Sequence, residues 1–363
     1  MDITQEQMNQ PEKKMPLFRK LAYALPDTGG QLIMTTVGAY MLYFFTDVAK
    51  INIGQAGNLM LIAKIVAAIV APISGILIDR TRSRYGKARP WYLWMCFPYA
   101  LCGILSFVVP NFSGSWAMVY MWGTYILLNT VFVFINTPTT AILPLLTDDL
   151  DERAQVNSIR NGGSQIGALI ANAGVLPMVA FFGHGNDQKG FLLMMIVMAS
   201  ICTICMLGAF GGLSEQANLN SLEQTEKTRS LKEQLSALKG NTPFVVIVVA
   251  VLLLFIAITI RNTSVIYYFT YNLENKGVTS LVNGLNSTQF ITIALLPLIV
   301  KRMGTVNAWL IGIALTMIAQ ILLQVTSGNM MLVLFFWIIS NFGFGISIPM
   351  CFTMLAETAD FGE

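Results

Sequence analysis

The stretch Gly75-Ile76-Leu77-Ile78-Asp79-Arg80-Thr81-Arg82-Ser83-Arg84-Tyr85-Gly86-Lys87-Ala88-Arg89-Pro90-Trp91 decides how the rest of the chain is read. Its five basic residues (Arg80, Arg82, Arg84, Lys87 and Arg89) sit between two long apolar runs. A hydrocarbon core does not accept five neighbouring cations, so the segment lies in water. The excess of Arg and Lys in cytoplasmic loops assigns it to the cytoplasmic side. The runs on either side are then membrane spans.

Composition carries the same message along the whole chain. The 363 residues are 55% hydrophobic and 11% charged, with a mean hydropathy of +0.64, whereas a soluble domain is about 25% charged. Apolar runs recur, each long enough to cross roughly 30 Å of hydrocarbon as a helix. Ten spans are expected, at 21–46, 53–78, 91–110, 116–142, 159–182, 190–212, 243–272, 279–300, 305–326 and 329–354. The expected class is an all-α polytopic membrane protein in three parts. Residues 1–212 form a six-helix bundle, 213–242 a cytoplasmic linker, and 243–363 a second, four-span bundle. In the linker, Leu222, Leu231, Leu235 and Leu238 recur among Glu and Lys, the pattern of a short amphipathic helix lying on the membrane face. The polar N-terminus is too charged for a signal peptide.

Counting basic residues orients the chain. With a cytoplasmic N-terminus, inside segments carry four before the first span, five in the Asp79–Trp91 loop, and Arg153 and Arg160 before the fifth span. The linker adds four and the 301–302 loop two, seventeen in all, against Lys50, Lys189 and Lys276 outside. The asymmetry places the N-terminus in the cytoplasm; the expected location is a plasma membrane, the bacterial inner membrane.

Several chemistries are not expected. No G-x-S-x-G, H-E-x-x-H or phosphate-loop pattern is present, so neither an enzyme nor a cofactor is expected. Cys202 and Cys205 form a lone CxxC within a span, and His184 is the single histidine, too few ligands for a metal site. Cys96, Cys102 and Cys351 likewise read as packing residues, and no nucleic-acid partner is expected.

Five stretches together resemble one family. They are Asp79 to Trp91; Tyr43-Phe44-Phe45-Thr46-Asp47; Asn136-Thr137-Pro138 continuing to Arg160; Arg261 with Tyr267-Tyr268-Phe269-Thr270-Tyr271; and Ala356 to Glu363. In this order they resemble the glycoside–pentoside–hexuronide:cation symporters, the melibiose permease branch of the major facilitator superfamily. The resemblance implies two bundles of six helices each. This sequence stops where the loop to helix 11 would begin, and a C-terminal truncation is the expectation.

Two departures from that family bear on coupling. Its second helix reads R-x-x-D-A-x-x-D-P, where acids four residues apart share a face and hold a cation. Here the segment is Lys64-Ile65-Val66-Ala67-Ala68-Ile69-Val70-Ala71-Pro72, with Ala67 and Ala71 at the acid positions. Sodium therefore has no carboxylate cage, and Lys64 stands as a tethered cation in its place, bonded to Gln31, or simply lines a wet cavity. The family's sugar-binding acids align with Gln31 and Asn136, and its stacking tryptophans with Thr140 and Ile348.

Charges inside spans cost several kilocalories per mole and are functional candidates by default. Asp27, Gln31, Asn136, Thr140, Arg261, Trp337 and Asn341 are the expected substrate-binding residues, with Asp27 and Lys64 in coupling. Asp79, Arg80, Arg82, Arg84 and Arg160 are the expected gate, closing the cytoplasmic side through ion pairs. The Gly163 and Gly167 pair reads as a close helix contact. The expected function is secondary active transport of a sugar, glycoside or uronate by alternating access, as symport with H+ or another cation or as uniport. Two alternatives stay open: a truncated, non-transporting fragment or membrane sensor or scaffold, and a carrier of lipid or another amphiphile on the same fold.

Overall fold

In lipid every backbone N–H and C=O must be satisfied within its own segment, so apolar runs of this length become helices. The computed structural model describes residues 15–109, 115–147, 150–214, 242–274, 277–326 and 329–360, and no strand occurs among them. The linker helix expected around 221–239 and the last three residues of the C-terminal motif lie outside the described residues.

The helices follow the hydropathy closely. They are α1 Leu17–Tyr43, α2 Ile53–Arg80, α3 Arg89–Ser106, α4 Ser115–Ala141, α5 Leu150–Gly183 and α6 Asp187–Gly212. After the linker come α7 Thr242–Tyr267, α8 Val278–Leu285, α9 Gln289–Met303, α10 Thr305–Val325 and α11 Met330–Asp360. Gly304 separates α9 from α10 at φ 79°, a conformation a side chain would strain. Two details were not legible in the hydropathy. α1 and α7 each end in a π-helical turn, Phe44–Val48 and Tyr268–Asn272. The expected 279–300 span is broken by a 3₁₀ turn at Asn286–Thr288 into α8 and α9. Seven helices are long and apolar enough to cross a membrane among the described residues. The other expected spans correspond to α1, α3 and the pair of short helices α8 and α9.

Two compact units divide the chain. The first takes Met1–Ile33, Gly57–Ala168 and Leu192–Asn218, the second Met34–Ala56, Leu169–Phe191 and Leu219–Glu363. In the first, small residues let helices approach closely. A Cβ on Gly163 would stand 2.6 Å from Thr28 Oγ1 and 2.9 Å from Ala24 Cβ, and one on Gly167 would collide with the Thr28 carbonyl. The glycine pair is thus the seat of α5 on α1. On another side of α1, a Cβ on Gly29 would meet Cys205 Cβ at 2.9 Å, so the CxxC cysteines serve as packing. Buried tyrosines tie the helices by their hydroxyls: Tyr23 donates to Thr139 O at 2.7 Å and Tyr99 to Gly30 O at 3.0 Å. Replacing Gly167 with valine is expected to destabilise the protein by about 1–3 kcal/mol, the range for overpacking. A detergent melting curve checks this, and an unshifted midpoint would show that α5 does not seat on α1 there.

Before the α5 span, Glu152 gathers three donors. Met15 N–H reaches Oε1 at 2.7 Å, Thr147 Oγ1 reaches Oε2 at 2.8 Å, and Lys20 Nζ pairs with Oε1 at 3.1 Å. Burial alone raises the pKa of this carboxyl, but Thr147, Lys20 and the Met15 N–H outweigh it and hold the group below its ordinary value. In the second unit, the apolar core joins Val265, Phe269, Val282, Leu323, Val333 and Trp337.

Candidate functional site

Asp27 and Arg160, read separately from the sequence, form one ion pair. Arg160 Nε donates to Asp27 Oδ2, and both side chains are largely buried. The glycine contact between α5 and α1 sets this register, since Gly163 and Gly167 lie one and two turns beyond Arg160. Arg160 thus answers a carboxylate inside the first unit, which ties an expected gate residue to the expected coupling residue. Gln31 sits one turn further along α1 on the same face as Asp27. Asn136 and Thr140 share a face of α4, both exposed, and Thr140 Oγ1 bonds back to Thr137 O at 2.8 Å.

Lys64 Nζ donates to Asn129 Oδ1 at 3.0 Å, while Asn129 Nδ2 bonds Tyr125 O at 2.9 Å. Sequence reading had turned to Gln31 as the partner; Asn129, on a different helix, carried no local signal. Lys64, Ala67 and Ala71 fall at i, i+3 and i+7, one stripe of α2.

In the second unit Arg261, Trp337 and Asn341 come together. The Arg261 guanidinium lies 3.8 Å from the Trp337 ring centre and 4.9 Å from that of Phe344, and its Nη2 donates to Asn341 Oδ1 at 2.9 Å. The break between α8 and α9 explains why these residues are polar. It leaves backbone carbonyls without helical partners, and Asn341 Nδ2 reaches one of them, Leu285 O, at 3.3 Å; Trp337 Nε1 reaches the Asn286 side-chain Oδ1 in the turn at 3.1 Å. Arginine only donates and a carbonyl only accepts, so the Asn341 amide orientation is forced. Arg261 Nε is buried without an acceptor, and among the described residues no carboxylate pairs with this arginine. It borders a cleft of about 620 Å³ whose other polar groups are Ser264, Tyr268, Thr316, Gln320 and Gln324. That volume suits a small organic ligand. Phe344 and Asn286 were missed by sequence reading, because an unremarkable aromatic and a turn amide give no motif.

The basic loop is anchored by residues other than those expected to gate. Arg89 Nε donates to Phe210 O at 2.6 Å with its guanidinium 4.6 Å over the Phe210 ring, and Trp91 Nε1 bonds Thr81 Oγ1 at 3.1 Å. Arg84 lies 4.6 Å over the Tyr85 ring. Asp79, Arg80, Arg82 and Arg84 are exposed. Among the described residues, no cluster of three or more His, Cys, Asp or Glu side chains is placed to hold a metal ion.

A bundle of apolar helices with charges seated inside its spans defines a multi-pass membrane protein. Comparison with known proteins gives the class its name: residues 22–363 match the MFS/sugar transport protein family, to which this chain belongs. It is 31% identical over 353 residues to the isoprimeverose transporter of Lactiplantibacillus pentosus, covering 96% of this chain and 73% of that protein. It is 26% identical over 348 residues to a putative glycoside/cation symporter of Escherichia coli K12, covering 95% and 74%. A crystal structure of a D-xylose–proton symporter superposes with a TM-score of 0.65 at 13% identity, covering 94% of this chain and 85% of that one, which establishes the shared major facilitator fold.

Proposed function

We propose that the chain works as a secondary carrier of a small sugar, glycoside or uronate across the bacterial inner membrane, by alternating access and in symport with H+. The observation that carries the coupling is the Asp27–Arg160 pair. A carboxylate held in a span by one guanidinium is a two-state device: protonation cancels its charge and releases the arginine. Support for excluding sodium comes from α2, where Lys64 shares a stripe with Ala67 and Ala71 and sets an amine, not a carboxylate, on the face where the resembling family places its acids.

Asp27, Gln31, Asn136 and Thr140 are the proposed substrate contacts of the first unit; taken by itself, the second unit offers Arg261, Trp337 and Asn341. Trp337 offers a face for a sugar ring and Arg261 an unsatisfied donor for a carboxylate or hydroxyl. The N-terminus is cytoplasmic, the two bundles flank the 213–242 linker, and Asp79, Arg80, Arg82 and Arg84 close the inner side through ion pairs made in one conformation only. Uptake of a panel of labelled neutral sugars, sugar acids and amphiphiles into cells expressing the full chain tests the substrate reading. Saturable uptake of a sugar or sugar acid supports it. Uptake confined to amphiphiles, which the apolar Ile260, Met317 and Ile321 walls of the cleft would also suit, overturns it.

Lys64→Gln keeps a hydrogen-bonding group for Asn129 but removes the charge. Uptake is expected to fall about tenfold, the value of a hydrogen bond to a charged group, with an unchanged melting temperature. Unaltered uptake would reduce Lys64 to a lining residue.

A further inference from the structure

Tyr23 stands one turn before Asp27 on the same face of α1, and the carrier scheme gives it no part. Its side chain is fully buried. The hydroxyl donates to Thr139 O at 2.7 Å, and its oxygen lies against the Arg160 guanidinium as an acceptor. Arg160 therefore has two oxygens before it: the Asp27 carboxylate that it binds, and the Tyr23 phenol. All of these groups belong to the first unit.

Thr139 gives the contact its reach. Its carbonyl is among the last four of α4, where amide donors within the helix run out. Pro138, inside the same turn, supplies no backbone donor of its own. Side chains from two other helices hold the residue instead. Tyr23 of α1 bonds its carbonyl, and Tyr92 of α3 donates to its Oγ1 at 3.2 Å. Thr139 and Tyr92 are as fully buried as Tyr23. Asn136 and Thr140, three residues before Thr139 and one after, stand exposed on α4. One phenol thus touches the ion pair on one side and, on the other, the backbone that carries two proposed substrate contacts.

We infer that Tyr23 is a positioning residue that relays the protonation of Asp27 to the end of α4. With Asp27 ionised, the carboxylate is the stronger acceptor and holds Arg160. A proton on Asp27 cancels that charge, and the guanidinium turns to the Tyr23 oxygen. A phenol that accepts from a cation is a stronger donor at its own O–H, because consecutive hydrogen bonds polarise one another. Thr139 O is then held more firmly, and Asn136 and Thr140 take the position that this bond sets. Linkage makes the effect reciprocal: a substrate that favours this position of α4 favours the proton on Asp27. Only that last step, in turnover, rests on the carrier reading. Tyr92 bonds the same threonine from a helix that carries neither member of the ion pair, so it holds Thr139 without relaying anything.

A trifluoromethyl label on Thr140→Cys reads the end of α4 without any substrate. In the full chain in detergent, Asp27→Asn, a neutral near-isostere of the protonated acid, is expected to shift the fluorine resonance. Adding Tyr23→Phe, which keeps the ring and removes the hydroxyl, is expected to abolish that shift. Adding Tyr92→Phe instead, the loss of a like hydroxyl from the same threonine, is expected to leave it in place. Acidifying the labelled parent is expected to give the same shift with Asp27 intact, again lost with Tyr23→Phe, so the test does not hang on the folding of the Asn variant. The chain without Thr140→Cys gives the blank for the native cysteines. A shift that survives Tyr23→Phe, a shift lost equally with Tyr92→Phe, or no shift with either Asp27→Asn or acid would overturn the relay. Sugar uptake by the unlabelled parent separates the two readings: a shift that follows Tyr23 without any uptake leaves the relay standing and removes the carrier assignment.

Discussion

Asp27→Asn is expected to abolish accumulation of substrate against its gradient, at least a hundredfold below the parent. The carboxylate does two things at once. It neutralises Arg160 inside the first unit, and in the proposed cycle it carries the proton. Breaking a largely buried pair by removing one partner costs about 3–5 kcal/mol, since it strands the remaining charge, so Asp27→Asn alone also lowers thermal stability. The double change Asp27→Asn with Arg160→Gln removes both charges and is expected to recover most of that stability. A structural pair would then recover transport too. A coupling pair regains the melting temperature and, at most, downhill exchange. Concentrative uptake by the double variant would sink the coupling role and leave the pair structural.

The second large effect is expected at Arg261. Its guanidinium lies against Trp337 and Phe344 and is bonded to Asn341, with Nε buried and without an acceptor. Methionine at this position keeps much of the packing volume and removes the donors and the charge. For a sugar-acid substrate, losing a charge-assisted hydrogen bond raises the half-saturation concentration by about 10- to 150-fold. Relief of a buried guanidinium that has no carboxylate partner among the described residues offsets the loss of the Asn341 hydrogen bond, so the Arg261→Met protein is expected to melt close to the parent. Lysine is a poor substitute, as its point charge neither stacks on Trp337 nor presents a planar fork. Measured transport kinetics check this, and an unaltered half-saturation concentration would place the substrate elsewhere.

The spans were legible because lipid imposes one rule on every segment: about 20 apolar residues, closed on themselves. Helix ends such as Arg80 and Gly212 fall where polarity or glycine interrupts that rule. The break after Leu285 was not legible, since Asn286-Ser287-Thr288 is a mild interruption, and its repair by Trp337 and Asn341 comes from some fifty residues away. The same holds for the site. Intramembrane charge singled out Asp27, Lys64 and Arg261 as costly, which is a local property. Their partners Arg160, Asn129 and Phe344 are matters of packing register between helices, and a single sequence does not encode that in any local pattern. The Gly163 and Gly167 pair is the exception. Small residues four apart announce a close approach, and Thr28 is what approaches.

The central claim is that coupling runs through Asp27 with a proton and without sodium. The full chain reconstituted in proteoliposomes, loaded with a labelled substrate from the uptake panel, permits pH and Na+ gradients to be imposed separately at a fixed membrane potential. An inward pH gradient is expected to drive accumulation above equilibrium, and a Na+ gradient to add nothing. Accumulation driven by sodium alone would contradict the account.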